Sequence, residues 1–191
     1  MNRDNYLATV RERMPEPRYV HTLGVMETAI RLADHYGIST SDAETAAILH
    51  DIAKFSKPMW MKQIIQKEKI DPILLDYHHE LWHAPVGAYV VQNEFGIEDE
   101  NILNAIRYHT TGRADMSPLE KVLYVSDMIE PNRKFPDVEL LRQQATNGLD
   151  GIMLACISQS IKFLIQKKQP VFPDSIHCYN DLVIKKGKVS E

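Results

Sequence analysis

Residues 46–54 read AAILHDIAK, and the adjacent pair His50 and Asp51 at the end of that apolar run decides how the rest of the chain is read. Upstream, STSDAETAAIL opens with Ser39 and Thr40, whose side-chain oxygens suit the free N–H groups of a first helical turn. Asp42 and Glu44 follow where the positive end of the helix dipole favours acidic groups. The segment therefore predicts a helix that turns apolar towards Leu49 and delivers an imidazole and a carboxylate at its end. A charged group beside such a run is costly to bury unpaired, so Asp51 asks for a cation.

Working outward, YVHTLGVMETAIRLADHYG sets Val25, Ala29, Leu32 and Tyr36 three to four apart, a second amphipathic helix that stops near Gly37. KPMWMKQIIQKEK predicts a short helix, interrupted around Pro72. APVGAYVVQNEFG predicts a helix starting near Pro85, which a first turn tolerates because no intrahelical donor is needed there. EDENILNAIRYHTTG aligns Ile102, Ile106 and His109 before Gly112, and SPLEKVLYVSDMIEP has Pro118 at a first helical position and Pro131 at its stop. NGLDGIMLACISQSIKFLIQKK is a long apolar-rich helix, and the last residues, KKGKVSE, read as a frayed tail. The expected fold is all-α, a single domain over residues 1–191.

One local motif points elsewhere. HELWH at residues 79–83 matches H-E-x-x-H, in which two histidines one helical turn apart bind zinc and the glutamate activates water. A helix that starts near Pro85 would not carry His79 and His83 on successive turns, so the zinc-protease reading is set aside. The stronger signal is distributed: His21, His50 with Asp51, His83, His109 and Asp127 fall on faces and ends of different helices. Such groups converge in helical bundles to bind metal. Mixed imidazole and carboxylate donors suit Fe, Mn, Zn, Co or Ni, and Asp51, with two oxygens, could bridge two ions. Each residue alone has a plainer explanation. His21 could be a core histidine bonded to a backbone carbonyl, and His109 a histidine favoured by a helix C-terminus.

Taken together these residues resemble the HD-domain metal-dependent phosphohydrolases. The blocks RYVHTLGV, AAILHDIAK, HAPVGAYVV, NAIRYHTTG, LEKVLYVSDMIEPNR and FPDVELLR are similar to the YqeK family of symmetrical diadenosine tetraphosphate hydrolases, over about residues 17–145. The resemblance implies a compact all-helical fold with a central cleft, in which His21, His50, Asp51 and Asp127 are the principal metal ligands. His83 and His109 match the histidines that hold a second metal, and His79 matches none. It implies two metal ions, with iron expected and Mn, Co, Ni or Zn as alternatives. Arg18, Lys54 and Arg133 fall where phosphate contacts are made, and Thr110 lies in the loop after His109.

The implied reaction splits a dinucleoside tetraphosphate into two nucleoside diphosphates with a metal-activated hydroxide as nucleophile. Asp51 and Lys54 are the expected catalytic pair. Paired metals suit the task, since they neutralise anionic oxygens and lower the pKa of water. An HD phosphohydrolase acting on nucleoside mono-, di- or triphosphates, a non-catalytic nucleotide sensor and an exonuclease remain alternatives. Trp60 and Trp82 could line a nucleotide pocket, or simply pack.

Composition narrows the partners. With 22 basic and 26 acidic residues the net charge is −4, which argues against a stable nucleic-acid partner. No run of eighteen apolar residues spans a bilayer and the polar start has no signal-peptide core, so a cytoplasmic address without membrane attachment is expected. Cys156 and Cys178 fit neither a C-x-x-C pair nor a disulfide framework. They read as buried thiols. A homodimer is expected because two-fold homomers dominate soluble oligomers.

Overall fold

The helix that ends in His50 starts where its cap residues place it: the Ser39 side chain accepts from the Asp42 amide at 3.3 Å. The structure, a computed structural model, describes residues 3–189, and every regular element among them is helical. The helices are α1 (Arg3–Arg13), α2 (Glu16–His35), α3 (Thr40–Leu49), α4 (Pro58–Lys67), α5 (His83–Phe95), α6 (Glu100–Tyr108), α7 (Pro118–Ile129), α8 (Val138–Gln144), α9 (Leu149–Gln166) and α10 (Pro173–Val189). Two 3-10 turns, Pro72–Asp76 and His79–Leu81, lie between α4 and α5.

The core is built where α2, α3, α6 and α7 meet. Ala43, Ala46 and Ala47 give α3 a smooth buried face, which lets α2 pack closely because side-chain size sets interaxial distance. Leu32, Ile48, Leu49, Leu103, Ile106 and Leu123 fill the space between these helices and are almost completely buried. Each such side chain contributes about 1.5–3 kcal/mol relative to exposure. Beyond Leu49 the chain tightens into turns closed by Ile52 N–H donating to Leu49 O at 3.1 Å and Lys54 N–H to Asp51 O at 2.9 Å. These turns follow the apolar face inward, so His50 and Asp51 end up buried.

The expected helices are present with adjusted ends. Helix α5 begins at His83 rather than near Pro85, and Pro85 sits as the third residue of the first turn, where its missing donor is not needed. His79 belongs to the preceding 3-10 turn and is exposed, so HELWH is not one continuous α-helix. Helix α10 runs to Val189, and Lys185 pairs with Asp115 and Asp181, both at 2.8 Å. Of the expected tail KKGKVSE, residues 185–189 belong to this helix, and Ser190 and Glu191 lie outside the described residues.

Helices α1, α8 and α10 escape a periodicity reading. Helix α1 buries only Tyr6 and Val10, and α8 only Val138 and Leu141. In α10 the buried Ser175, Cys178 and Leu182 are interleaved with exposed Ile176, Tyr179, Val183 and Ile184, which hides the inward face. Both cysteines are free and buried. Burial pushes their thiols up, Cys156 to about 12 and Cys178 to about 11. Helix α9, 18 residues long, is long and apolar enough to cross a bilayer by length and composition alone. That qualifies the membrane expectation by composition alone. Asp150 and Lys162 interrupt the apolar run, and the helix packs along α7 and α10.

Candidate metal centre

Five helices contribute to one polar cluster inside this core. His21 comes from the second turn of α2, His50 caps α3 with Asp51 after it, His83 opens α5, His109 caps α6, and Asp127 lies near the end of α7. The four histidines and Asp51 are buried. All six ligands expected from the sequence are thereby brought together.

The hydrogen bonds assign the imidazole tautomers. His50 Nδ1 lies 2.7 Å from Ala47 O, His83 Nδ1 2.6 Å from Glu80 O, and His109 Nδ1 2.7 Å from Ile106 O. A carbonyl oxygen only accepts, so each Nδ1 donates and, in the neutral ring, each Nε2 presents a lone pair to the cluster. Lys54 Nζ, 3.5 Å from His83 Nδ1, is too remote to reverse the much shorter carbonyl bond. In His21 the Nδ1 faces Glu130 Oε1 at 3.1 Å.

The freed Nε2 atoms converge without protein donors to satisfy them. His83 Nε2 and His109 Nε2 lie 3.1 Å apart, lone pair towards lone pair. His21 Nε2 is 3.0 Å from Asp127 Oδ1, and His50 Nε2 is 3.3 Å from Asp51 Oδ2. Neither contact has hydrogen-bond alignment, and both buried nitrogens lack a partner. Inward lone pairs beside carboxylates are the donor set of a divalent transition metal.

Asp51 divides this set in two. Its Oδ1 lies 3.0 Å from His83 Nε2 and 3.7 Å from His109 Nε2, while Oδ2 faces His50 Nε2 and, at 2.9 Å, Arg18 Nη1. The result is two candidate metal positions, one of His21, His50 and Asp51 and one of Asp51, His83 and His109, with ligand atoms in each within 4.8 Å of one another. Asp127 adjoins the first, its Oδ1 4.0 Å from His50 Nε2. The two clusters fit two metal ions sharing one carboxylate.

Electrostatics follow the same division. Burial alone would raise the Asp51 carboxyl, but the charge His50 takes up beside it and the close approach of the His109 and His83 rings hold it well below the usual range. Burial would likewise raise Asp127, which His21 and Arg133 hold far down. Burial lowers His50, but Asp51 and Asp127 outweigh it and raise the ring. His109 is pushed down to about 4, chiefly by burial. A neutral ring at neutral pH is not a cation favoured by a helix end, which removes the plainer explanation of His109. His21 is bonded to a carboxylate rather than to a backbone carbonyl, which removes that of His21.

Of the residues expected to meet phosphate, Arg18, Lys54 and Arg133 adjoin the cluster, whereas Thr110 lies in a separate cavity. Arg133 Nη2 lies 2.5 Å from Asp127 Oδ1 and its Nε donates to Asp127 O at 2.8 Å. With Arg18 and His21 it lines a cleft of about 720 Å³ that also contains Phe55 and Glu130. Lys54 pairs with Glu80 at 2.6 Å. Thr110 lines a second cavity, about 410 Å³, with Leu81, Pro85 and Arg107, and its buried hydroxyl has no partner. Lys121, by contrast, is a structural cation paired with Asp150 at 2.6 Å. The two tryptophans pack partly buried against the core, and Trp82 Nε1 donates to Leu74 O at 2.7 Å. The residue missed in the sequence is Glu130. Its signal was its place three residues after Asp127, on the same side of the helix end.

The HD-domain family description matches residues 18–132. The chain is 54% identical over 183 residues to a protein of Bacillus subtilis named bis(5'-nucleosyl)-tetraphosphatase, symmetrical, covering 96% of this chain and 98% of that one. It is 41% identical over 182 residues to a Staphylococcus aureus protein of the same name, covering 94% of each. A crystal structure from Clostridium acetobutylicum, described as a predicted HD superfamily hydrolase involved in NAD metabolism, superposes with a TM-score of 0.92 at 35% identity, over 97% of this chain and 98% of that one.

Proposed function

The chain belongs to the HD-domain family, and from that premise we propose that it is a metal-dependent hydrolase that splits diadenosine tetraphosphate symmetrically into two molecules of adenosine diphosphate. The observation that carries this reading is Asp51, whose two oxygens face two separate histidine sets. Close relatives over nearly the whole chain bear the name of that activity. Residues 1–191 form one catalytic domain in this reading, acting in the cytoplasm.

His21, His50, Asp51 and Asp127 would hold one metal, and Asp51, His83 and His109 the other, with iron as the expected element. Bound metals supply a water of lowered pKa and neutralise phosphoryl oxygens. The protein's own part is orientation and charge. Backbone carbonyls hold three imidazoles with Nε2 inward, so each of those atoms is already aimed at its metal position. Arg18 and Arg133 flank the larger cleft, where planar guanidinium groups can take up phosphate oxygens in pairs. Lys54, held by Glu80 beside His83, adds a point charge on the other side. Cleavage between the second and third phosphates releases a nucleoside diphosphate, which leaves as a stable anion. No general acid is required.

The test is product analysis. Protein prepared without oxygen and loaded separately with iron, manganese, cobalt or zinc is given diadenosine tetraphosphate, NAD and adenosine triphosphate. Adenosine diphosphate as the sole product of the first substrate is the expected result. Unequal products, or faster turnover of either other nucleotide, would transfer the reading to another HD phosphohydrolase.

Thr110 offers a finer check. Its hydroxyl is buried and unpaired, which costs about 1–3 kcal/mol relative to a satisfied group. Thr110→Val keeps the shape and removes the unpaired oxygen. We expect equal or higher thermal stability without nucleotide, together with a roughly tenfold loss in kcat/KM, the scale of one hydrogen bond. A stable variant with unaltered kcat/KM would remove Thr110 from the substrate site.

A homodimer belongs to the same proposal. Phe163 and Ile165 of α9 and Ile176, Val183 and Ile184 of α10 are exposed apolar residues on two helices that pack together, and a second copy would cover part of that surface. Sedimentation showing a monomer at micromolar concentration would remove it.

A further inference from the structure

His50, His83 and His109 obtain their Nδ1 acceptor in one way: each donates to the carbonyl three residues before it. That device is local and works only where a helix ends or begins, because carbonyls inside a helix are taken by the helix itself. His21 cannot use it. It lies within α2, which runs from Glu16 to His35, and its ring must be aimed by something outside its own helix.

Glu130 fills that role geometrically. Its Oε1 is 3.1 Å from His21 Nδ1, and its Oε2 accepts from the Asn132 amide at 2.6 Å. The side chain is 1% exposed, and among the described residues no lysine or arginine forms an ion pair with it. A buried carboxylate with two N–H donors and only the longer-range charge of Arg133, itself paired with Asp127, is incompletely offset. A metal on the far side of the imidazole supplies the missing positive charge, and a carboxylate behind a ligating histidine fixes its tautomer and raises its basicity.

A second, independent feature makes room for this contact. Gly24 lies one turn beyond His21, in the middle of α2, where glycine is less favourable than alanine. A Cβ at that position would stand 2.5 Å from Glu130 Oε2. The helix accepts a poor helix former where the carboxylate of Glu130 occupies the space.

We propose that Glu130, seated against Gly24, is a positioning residue that orients His21 and selectively strengthens metal binding at the His21–His50–Asp51 position. This rests on the two-metal reading above. The position built on His83 and His109 has its own backbone acceptors and is independent of Glu130.

The experiment titrates metal-free full-length protein with cobalt(II), without nucleotide, following visible absorption and bound metal per chain. Wild-type protein, Glu130→Gln and Gly24→Ala are compared. Glutamine keeps the shape but has a single acceptor oxygen, so it cannot receive both His21 and Asn132. Alanine favours the helix and displaces the carboxylate without touching His21. Wild type is expected to bind two ions. In both variants one of the two affinities should fall about 10- to 100-fold, with the other unchanged and the melting temperatures of the metal-free proteins preserved. Two unaltered affinities in a folded variant would overturn the proposal, as would equal weakening of both positions. A wild type that binds fewer than two ions would overturn the two-metal reading and this inference with it.

Discussion

Asp51→Asn is expected to abolish binding of both metals and to lower kcat by about 10³-fold or more, the scale on which charge-stabilising groups act at a reacting centre. The size of the effect follows from geometry. Asp51 Oδ1 faces His83 and His109, whereas Oδ2 faces His50 and Arg18. An asparagine of the same shape offers one oxygen and one NH2, so one set meets a donor where it needs an anion and the other keeps a neutral amide oxygen in place of the shared charge. No rotamer serves both. His21, His83 or His109 each belong to one set only, and their alanine variants should retain one metal where Asp51→Asn retains none. Metal per chain after dialysis and release of adenosine diphosphate measure the two halves of the claim. Two metals bound, with turnover within tenfold of wild type, would show that Asp51 is not the shared ligand.

What made Asp51 visible in the sequence was conflict. An apolar helix that ends in a histidine and an aspartate breaks the pattern its own residues set up, and such breaks gather at functional sites. The same reasoning picked out Asp127 inside KVLYVSDMI, and both lie in the cluster. Helices with a clean apolar stripe and a recognisable cap were equally legible. Ser39, Asp99 and Ser117 all accept from amides of the first turn they precede.

The unread parts have a common cause: they depend on contacts between distant segments. Helix α1 has too few inward residues to announce itself, and α10 exposes more apolar residues than it buries among the described ones. Within the site, Glu130 looked like one more acidic residue before a proline, and its contact with His21 spans 109 positions. Gly24 reads as a weakness in α2 until Glu130 is known to lie against it. HELWH was misleading for the opposite reason, since a local match suggested one helix where the chain forms a 3-10 turn followed by α5. Its last histidine is a candidate ligand, yet its partners are Asp51 and His109 rather than His79.

Removing the metals should lower the melting temperature by roughly 20 °C, because the centre is arranged around positive charge. Without cations, His83 and His109 direct lone pairs at each other across 3.1 Å, and the inner nitrogens of His21 and His50 are buried without hydrogen-bond partners. Each unmet group costs about 1–3 kcal/mol. Five helices meet at this cluster, so the strain falls on the packing of α2, α3, α5, α6 and α7 together. A ligand present at 1,000 times its Kd stabilises the folded state by about 4 kcal/mol, and two such positions by about 8 kcal/mol. For a chain of this size each kcal/mol moves the midpoint by about 2–4 °C. Calorimetry of loaded, chelator-stripped and reloaded protein in one buffer reads the effect directly. The drop should reverse on reloading, and Asp51→Asn should melt at the same temperature with or without metal. A stripped protein that melts within about 2 °C of the loaded one would mean that the cluster is satisfied by protons and hydrogen bonds alone, and that metal is not what the inward lone pairs are arranged to hold.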